Sequence, residues 1–311
     1  MCMSKVLITG VAGFIGSNLA VRLIAEGYEV LGIDDLSYGV EEQIPPGVKF
    51  YQQDIRSKGI YPLFRDVKCV FHLAAKNCIS DCQKDPVETA DINVTGTVNV
   101  FDASARAGVK KVIYAESSAV YEGASQFPTP EVAADPRSFY AMSKMSGHYF
   151  AHAYKEYYNL NSIGLRYFNV YGPRQDYRRT IPPLMSAFII KLLRGEAPTI
   201  YGDGQKRRDF IYIDDINDAH VLLMNEDKGD NMVFNIGSGI NYSVSEIYQV
   251  INKLLGVDVN PVYQGDLSGE AQVTLADCTK LRELGWRPAV DIEEGIRRQV
   301  DYIRQQVLNK L

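Results

Sequence analysis

The chain has 311 residues, with 33 Lys or Arg against 38 Asp or Glu, so its formal net charge is −5. At 46% hydrophobic and 23% charged residues, its composition is that of a globular protein and excludes a disordered or collagen-like chain. The length predicts one large or two packed domains, and the scattered charges favour neither nucleic acid nor a membrane as partner.

The first half of the chain alternates short apolar runs with helical patterns. Strands are predicted at Lys5–Thr9, Glu29–Ile33, Val48–Gln52, Cys69–Leu73, Lys111–Ala115 and Asn161–Arg166. Helices are predicted at Phe14–Glu26, Val87–Ala107 and Phe139–Tyr158. This alternation is typical of right-handed βαβ units, so we predict an α/β fold with a doubly wound parallel sheet.

The rhythm changes after Tyr167, where residues 169–208 contain four prolines and four glycines. The later elements predicted are strands at Phe210–Ile213 and Met232–Ile236 and helices at Leu184–Leu193, Val244–Leu255 and Ile292–Val307. We therefore predict a dinucleotide-binding domain over residues 1–168 and a smaller α/β substrate-binding domain over residues 169–311. Some later strands are expected to return to the first sheet.

Nothing in the sequence predicts export or a membrane anchor. No apolar run approaches the roughly 18 residues of a membrane helix, and the N-terminus lacks a signal-peptide layout. An odd number of dispersed cysteines argues against a disulfide framework and offers no zinc-site spacing. These cysteines are Cys2, Cys69, Cys78, Cys82 and Cys278. We expect a cytoplasmic protein without a metal site.

A glycine-rich segment joins the first predicted strand to the first predicted helix. Gly10, Gly13 and Gly16 allow a tight turn and let a pyrophosphate approach the backbone and the helix N-terminus. Asp34 ends the second strand, where a carboxylate suits the ribose hydroxyls of NAD and disfavours the 2′-phosphate of NADP, although an ordinary turn acid also occurs there. Asp54 either reaches an adenine amino group or is a solvated turn acid. This order of elements favours NAD binding.

Tyr140 and Lys144 are the candidate catalytic pair. At positions i and i+4 of a predicted helix they share one face. A nearby ammonium lowers the pKa of a phenol, so the pair can act as a general acid and base near neutral pH. Ser117 and Ser118 follow the fifth predicted strand, at the carboxyl edge where ligands bind parallel sheets. A hydroxyl there could bond the same substrate oxygen.

These residues together resemble the extended short-chain dehydrogenase/reductase family, in particular nucleotide-sugar epimerases related to UDP-galactose 4-epimerase. The resemblance covers nearly the whole chain. Its motifs are Thr9–Gly16, Asp34–Ser37, Asp54–Ile55, His72–Ala75, Asn93–Thr97, Ser117–Tyr121, Tyr140–Lys144, Arg166–Pro173, Arg208–Tyr212 and Leu284–Pro288.

The resemblance implies a Rossmann-type fold that keeps NAD bound through turnover. Tyr140 would take the proton of the sugar 4-hydroxyl, Lys144 would hold the nicotinamide ribose, and Ser117 would bond the reacting oxygen. The hydride from C4 would go to the nicotinamide, and the transient 4-keto sugar would receive it back on the opposite face. The implied NAD contacts are Gly10, Gly13, Phe14, Ile15, Gly16, Asp34, Asp35, Ser37, Gly39, Asp54, Ile55, Leu73, Ala74, Ala75, Asn93, Tyr140, Lys144 and Tyr167.

The resemblance also suggests the substrate. Family dehydratases and decarboxylases carry acids beside the catalytic hydroxyl, whereas Ser117 is followed by Ser118 and Ala119, which favours simple epimerisation. Thr274 replaces the bulky Tyr of hexose-restricted members; it either leaves room for a 2-acetamido group or is a packing choice. We therefore predict a 4-epimerase of UDP-GlcNAc/UDP-GalNAc or the corresponding uronic acids. The implied sugar and nucleotide contacts are Ser117, Tyr140, Asn169, Tyr201, Arg208, Glu270 and Thr274.

Three departures from the family pattern concern the substrate. Leu267 and Gln272 stand where phosphate-binding arginines are usual, and neither side chain can form a charge-assisted bond to phosphate. Either another cation replaces them, with candidates Lys76, Arg174, Arg178 and Arg179, or the substrate differs. Glu122 replaces a usual glycine near the sugar pocket, where it either reshapes substrate choice or tightens a loop.

Two other functions remain open from the sequence: a reductase or epimerase of a modified nucleotide sugar, and a non-catalytic NAD-binding protein. The second would not need Ser117, Tyr140 and Lys144 together. In this family the helices Val87–Ala107 and Phe139–Tyr158 pair two subunits through a four-helix bundle, so a homodimer is expected. An aromatic face on the second helix suits an interface, although burial within one subunit gives the same pattern. Its members are Phe150, Tyr154, Tyr157 and Tyr158.

Overall fold

The computed structural model describes residues 4–179, 182–266 and 271–308. The strands in these ranges are β1 (Lys5–Thr9), β2 (Glu29–Asp34), β3 (Lys49–Gln52), β4 (Val67–His72), β5 (Lys111–Ser117), β6 (Asn161–Tyr167), β7 (Asn169–Tyr171), β8 (Thr199–Tyr201), β9 (Arg207–Tyr212), β10 (Val233–Ile236), β11 (Asn241–Ser243) and β12 (Val262–Gln264). The α-helices are α1 (Phe14–Ala25), α2 (Ile79–Lys84), α3 (Pro86–Ala90), α4 (Gly96–Ala107), α5 (Phe139–Tyr158), α6 (Leu184–Leu193), α7 (Ile213–Asn225), α8 (Val244–Leu255), α9 (Thr279–Glu283) and α10 (Ile292–Gln306).

The main sheet has seven parallel strands in the order β10-β6-β5-β4-β1-β2-β3. Strand order reverses at β1, which pairs with β2 on one side and β4 on the other. A crevice therefore opens at the carboxyl ends of β1 and β4, the place where ligands bind doubly wound sheets. The predicted α/β, doubly wound parallel fold is confirmed.

Both faces of the sheet are covered, which explains its nearly continuous apolar strands. In β1, Val6 and Ile8 pack into one hydrophobic cluster, and Leu7 between them packs into the other. All three side chains are fully buried. The alternation of a strand thus serves two cores, and the carboxyl edge is the part of the sheet left open for function.

The second half of the chain adds one strand to the main sheet and forms two smaller sheets. Strand β10 pairs with β6 and extends the main sheet. The remaining strands form a three-stranded sheet, β11-β9-β7, and the pair β12-β8. The boundary at residue 168 stays a prediction.

Two predicted elements differ from the structure. The helix predicted over 87–107 is divided into α3, a π-helical turn at Asp91–Thr95, and α4, because the wider turn inserts one extra residue. The strand predicted at Phe210–Ile213 is the longer β9, and Ile213 instead begins α7. Asp214 and Asp215 lie in the first turn of α7, where acids stabilise a helix. No helix among the described residues is long and apolar enough to cross a membrane.

Candidate active site

A cavity of about 610 Å³ lies at the carboxyl edge of the main sheet. Every residue predicted to contact NAD lines it except Asn93. Its wall also includes residues that the sequence analysis did not assign to the cofactor. Among them are Tyr38, Lys76, Cys78, Asp81, Glu116, Asp176, Arg178 and Arg179.

Gly10, in the loop between β1 and α1, has no space for a side chain. Gly10 has a φ of +75°, and a Cβ atom there would lie 2.7 Å from the backbone nitrogen of Ala74. Gly13 is the N-cap of α1 and gives it no side-chain hydrogen bond. The N–H groups at the start of α1 therefore face the cavity without a side-chain cap, which suits a phosphate.

Asp34 lies at the end of β2 with its carboxylate held by backbone donors. The Ala12 N–H donates to one carboxylate oxygen at 3.0 Å, and the Leu36 N–H donates to the other at 2.9 Å. Burial raises the pKa of Asp34, and these two hydrogen bonds oppose that rise. Asp54 instead pairs with the Arg56 guanidinium at 2.9 and 3.0 Å, which lowers its pKa. The Asp54 carboxylate is thus engaged within the chain.

A buried polar layer supports the cavity from below. The Thr97 hydroxyl donates to the Asn93 carbonyl at 2.6 Å, so it accepts from His72 Nε2 at 2.9 Å. His72 Nδ1 then accepts from the Thr9 hydroxyl at 2.8 Å. Burial lowers the pKa of His72 to about 3, consistent with this neutral tautomer. The layer ties the end of β1 to α4, and all its polar groups have partners.

Asn93 belongs to this supporting layer. It lies in the π-helical turn, accepts from the Lys76 N–H at 2.8 Å, and donates to the Lys76 carbonyl at 2.9 Å. It also bonds the Ser143 hydroxyl at 2.9 Å, and that hydroxyl donates to the Tyr140 carbonyl. Asn93 therefore fixes the segment after β4 against the helix that carries Tyr140.

Tyr140 and Lys144 lie one turn apart on α5 and both face the cavity. Burial raises the pKa of Tyr140, and a hydrogen bond from Ser117 opposes this. Burial lowers the pKa of Lys144 to about 8, while the charge of Glu116 acts in the opposite sense. Among the residues described, nothing forms a hydrogen bond or ion pair with the Lys144 ammonium. A buried donor without a partner suits a ligand hydroxyl.

Ser117 and Glu116 are adjacent in β5 and have different partners. Ser117 acts on the Tyr140 phenol and opposes the rise of its pKa, whereas the Glu116 carboxylate accepts from Arg166 at 2.7 Å and from Tyr114 at 3.0 Å. Glu116 is thus held in a buried ion pair and not beside the reacting hydroxyls. Ser118 begins the short 3₁₀ turn Ser118–Tyr121.

Four of the predicted sugar and nucleotide contacts lie outside the lining of this cavity, namely Asn169, Tyr201, Arg208 and Thr274. Asn169 donates to the Thr274 hydroxyl at 3.2 Å, and the same hydroxyl accepts from the Asp209 N–H at 3.1 Å. Arg208 donates to the Gln272 carbonyl at 3.5 Å, and Tyr201 ends β8. Glu270 and Leu267 lie outside the described residues.

Asp209 organises this second group, although sequence analysis did not single it out. Its fully buried carboxylate accepts from Ser238 Oγ at 2.8 Å and from three backbone N–H groups at 2.7 to 3.1 Å. These donors belong to the loop after β10 and to Ala276. Because charged acceptors gain most from several donors, Asp209 holds the Arg208 strand against the segment that carries Thr274.

The candidate replacement cations have different surroundings. The Lys76 ammonium is buried against Glu88, and Arg174 donates to the Ser17 carbonyl at 3.1 Å. Arg178 and Arg179 both lie beside Asp176, at 3.6 and 3.1 Å. This last cluster lines the cavity with two positive charges against one negative charge.

The chain resembles known proteins in both sequence and fold. Residues 6–237 match the NAD dependent epimerase/dehydratase family. The chain is 35% identical to the UDP-glucose 4-epimerase of Mycolicibacterium smegmatis, over 97% of this chain and 99% of that protein. It is 34% identical to the UDP-glucuronate 4-epimerase of Thermodesulfobacterium geofontis, over 98% of both. The UDP-N-acetylglucosamine 4-epimerase of Methanobrevibacter ruminantium, solved with UDP-N-acetylmuramic acid, superposes with a TM-score of 0.94 at 32% identity, covering 99% of this chain and 100% of that one.

The protein therefore belongs to the NAD dependent epimerase/dehydratase family. This confirms the predicted family and an NAD-dependent enzyme. The cavity fits that cofactor, since it combines a glycine cradle, an uncapped helix N-terminus, the Asp34 carboxylate and an unpaired Lys144 ammonium.

Proposed function

We propose that the protein interconverts C4 epimers of a UDP-linked sugar while retaining NAD. The observation that carries this is the meeting of Tyr140, Lys144 and Ser117 at the carboxyl end of β5, beside the glycine cradle. Ser118 and Ala119 follow Ser117, so no carboxylate stands where elimination of water would need one. The 4-epimerases among the relatives support the same reaction.

In this proposal Tyr140 holds the proton that leaves the sugar 4-hydroxyl. Ser117 donates a hydrogen bond toward Tyr140, which favours the phenolate. Lys144 bonds the cofactor ribose and stabilises that phenolate by its charge. A dinucleotide held by the glycine cradle, Asp34 and Lys144 would supply the hydride chemistry at C4 of the sugar. The proton then returns from Tyr140 to the same oxygen, so Tyr140 acts in turn as base and acid.

For the sugar we propose a UDP-N-acetylhexosamine or the corresponding uronic acid. Thr274 has a small side chain, and its hydroxyl accepts hydrogen bonds from the Asn169 amide and from the Asp209 backbone N–H. The side chain therefore anchors a proposed sugar contact, and we propose that its small size leaves room for a 2-acetamido group. The named substrates of the relatives include a hexose, a uronic acid and an N-acetylhexosamine.

The uronic acid is favoured by one feature of the cavity wall. Arg179 is close enough to Tyr140 for its charge to lower the pKa of that phenol. Arg178 and Arg179 together carry two positive charges, whereas Asp176 beside them carries a single negative charge. An acidic substituent on the sugar would find a complementary charge there.

We further propose a homodimer in which α4 and α5 of two subunits form a four-helix bundle. Along α5, Tyr149 and Tyr157 are 67% and 80% exposed. Phe150 and Tyr154, from the same predicted aromatic face, pack against the core of their own subunit. The proposed interface therefore uses Tyr157 of that face together with Tyr149, which the sequence analysis did not include in it.

The reaction is tested by proton NMR with UDP-N-acetylglucosamine, UDP-glucuronate and UDP-glucose in separate samples, without added cofactor. Signals of the C4 epimer are expected for at least one of the first two sugars. Conversion without added NAD shows that the dinucleotide is retained. If none of the three sugars changes even with added NAD, the proposed reaction is wrong for these substrates.

A further inference from the structure

Glu122, which replaces a usual glycine, lies at the start of the helix that carries Tyr140. One carboxylate oxygen accepts from the backbone N–H of Arg137 at 2.9 Å and of Ser138 at 2.6 Å. The other accepts from the Ser138 hydroxyl at 2.7 Å. Glu122 does not line the cavity. Of the two roles that the sequence left open, substrate choice is therefore the less suited to this geometry.

These contacts join the two chain segments that carry the reacting hydroxyls. Glu122 directly follows the 3₁₀ turn Ser118–Tyr121, which begins next to Ser117. Ser138 is the N-cap of α5 and lies two residues before Tyr140. A single carboxylate therefore spans from the Ser117 turn to the first turn of the catalytic helix.

The hydrogen bond to Glu122 also determines where the Ser138 hydroxyl points its hydrogen. Because the Ser138 hydroxyl donates to Glu122, its oxygen is free to accept from the Ala141 N–H at 3.1 Å. The negative charge of Glu122 lies at the N-terminus of α5, where the helix dipole favours it. The backbone adds two nearby links between the same segments: the Asp135 N–H donates to the Val120 carbonyl at 2.7 Å, and the Gly123 N–H donates to the Asp135 carbonyl at 3.1 Å.

We propose that Glu122 is a positioning residue for epimerisation. It sets the first turn of α5 relative to the Ser117 turn, and so keeps the Tyr140 hydroxyl in reach of both Ser117 and the sugar 4-hydroxyl. This rests on the proposed function of Tyr140 and Ser117. A shift of about 1 Å at such a site can cost about a hundredfold in rate, so losing the bridge should act on kcat.

The test compares four proteins loaded with dinucleotide, assayed with whichever of the three UDP sugars the wild type converts fastest. Glu122→Ala should lower kcat by about ten- to a hundredfold with KM changed less than about twofold. Glu122→Gln keeps an oxygen for the two backbone donors and should retain kcat within about threefold. Asp291→Ala is the matched control, because it removes the side-chain cap of α10, where Asp291 accepts from the Glu294 N–H at 2.9 Å. It should lower Tm like Glu122→Ala and leave kcat unchanged.

Two kinetic results would each overturn the proposal: an unchanged kcat in Glu122→Ala with a loss of Tm like that of the control, or a raised KM at unchanged kcat. If Glu122→Ala does not fold, Glu122→Asp serves instead, since it keeps the charge but is too short to span the gap; its kcat should fall. A crystal structure of the variant gives a readout that does not need turnover. The Tyr140 hydroxyl should lie about 1 Å or more farther from the Ser117 hydroxyl there than in the wild type, and an unchanged separation refutes the proposal even if the proposed substrates prove wrong.

Discussion

Replacing Lys144 by Met should stabilise the cofactor-free protein while destroying its activity. The Lys144 ammonium is buried, and no described residue pairs with it. In the folded state its pKa falls from 10.5 to about 8. The folded protein therefore binds this proton more weakly than the unfolded chain does, and the charge opposes folding at neutral pH.

The size and pH range of the effect follow from that shift. A fall of roughly 2.5 pKa units corresponds to about 3 kcal/mol of unfolding free energy at pH 7, where both states are protonated. Between pH 8 and 10.5 the folded state loses the proton first, so the penalty fades as pH rises. The advantage of Lys144→Met should thus shrink by about 2 kcal/mol from pH 8 to pH 10.

The assay is urea unfolding of dinucleotide-free wild type and Lys144→Met at pH 7, 8, 9 and 10. Better apolar packing by Met would add a constant amount at every pH, so the change with pH identifies the charge. Lys111→Met is the control: this lysine is also buried, but it pairs with Asp230 at 2.6 Å and donates to two carbonyls at 2.9 and 3.0 Å. Lys111→Met should therefore be less stable than the wild type. A Lys144→Met protein no more stable than wild type at pH 7, or a pH-independent difference, refutes this reasoning.

Three other predictions concern the cofactor, the chemistry and the assembly. Tyr140→Phe should lower kcat by about 10² to 10⁴-fold, measured by NMR of the epimer, and leave bound NAD unchanged; near-normal turnover would exclude Tyr140 as the acid and base. Asp34→Asn should weaken NAD binding about tenfold or more by calorimetry, since the amide replaces an acceptor of two backbone donors and a ribose; unchanged affinity would remove Asp34 from the cofactor site. Tyr149→Glu should give a monomer in light scattering, whereas Val132→Glu, at an 87% exposed residue away from α4 and α5, should not; a dimer in both variants would contradict the proposed bundle.

The parts of the fold with strong local signals could be predicted from the sequence. Helix α5 begins and ends where predicted, because Ser138 caps it and Asn159 ends it in the left-handed conformation. The glycine loop could be predicted for a similar reason. A Cβ atom at any of its glycines would contact backbone atoms a few residues away or at the end of the neighbouring strand. Such signals depend little on the rest of the chain.

Other parts depend on contacts between distant segments. The π-helical turn that places Asn93 below the cavity inserts a residue into an otherwise regular helical pattern, so periodicity alone predicts one continuous helix. The role of Asp209 requires donors from residues 238, 239 and 276, which no spacing in the sequence links to it. Likewise, Glu122 could be noticed as unusual but not placed, because its partners are fifteen and sixteen residues away.

Some polar groups of the site have hydrogen-bond partners within the chain, whereas others are left for a ligand. One layer below the cavity, Thr9, His72 and Thr97 bond one another in a single consistent direction. At the cavity surface, the N-terminus of α1 lacks a side-chain cap and Lys144 lacks a described partner. A rigid, fully bonded layer holds these unsatisfied groups in place at a cost to stability. A bound dinucleotide would supply an anion for the first and a ribose hydroxyl for the second, so its binding energy comes partly from penalties that the folded chain already carries.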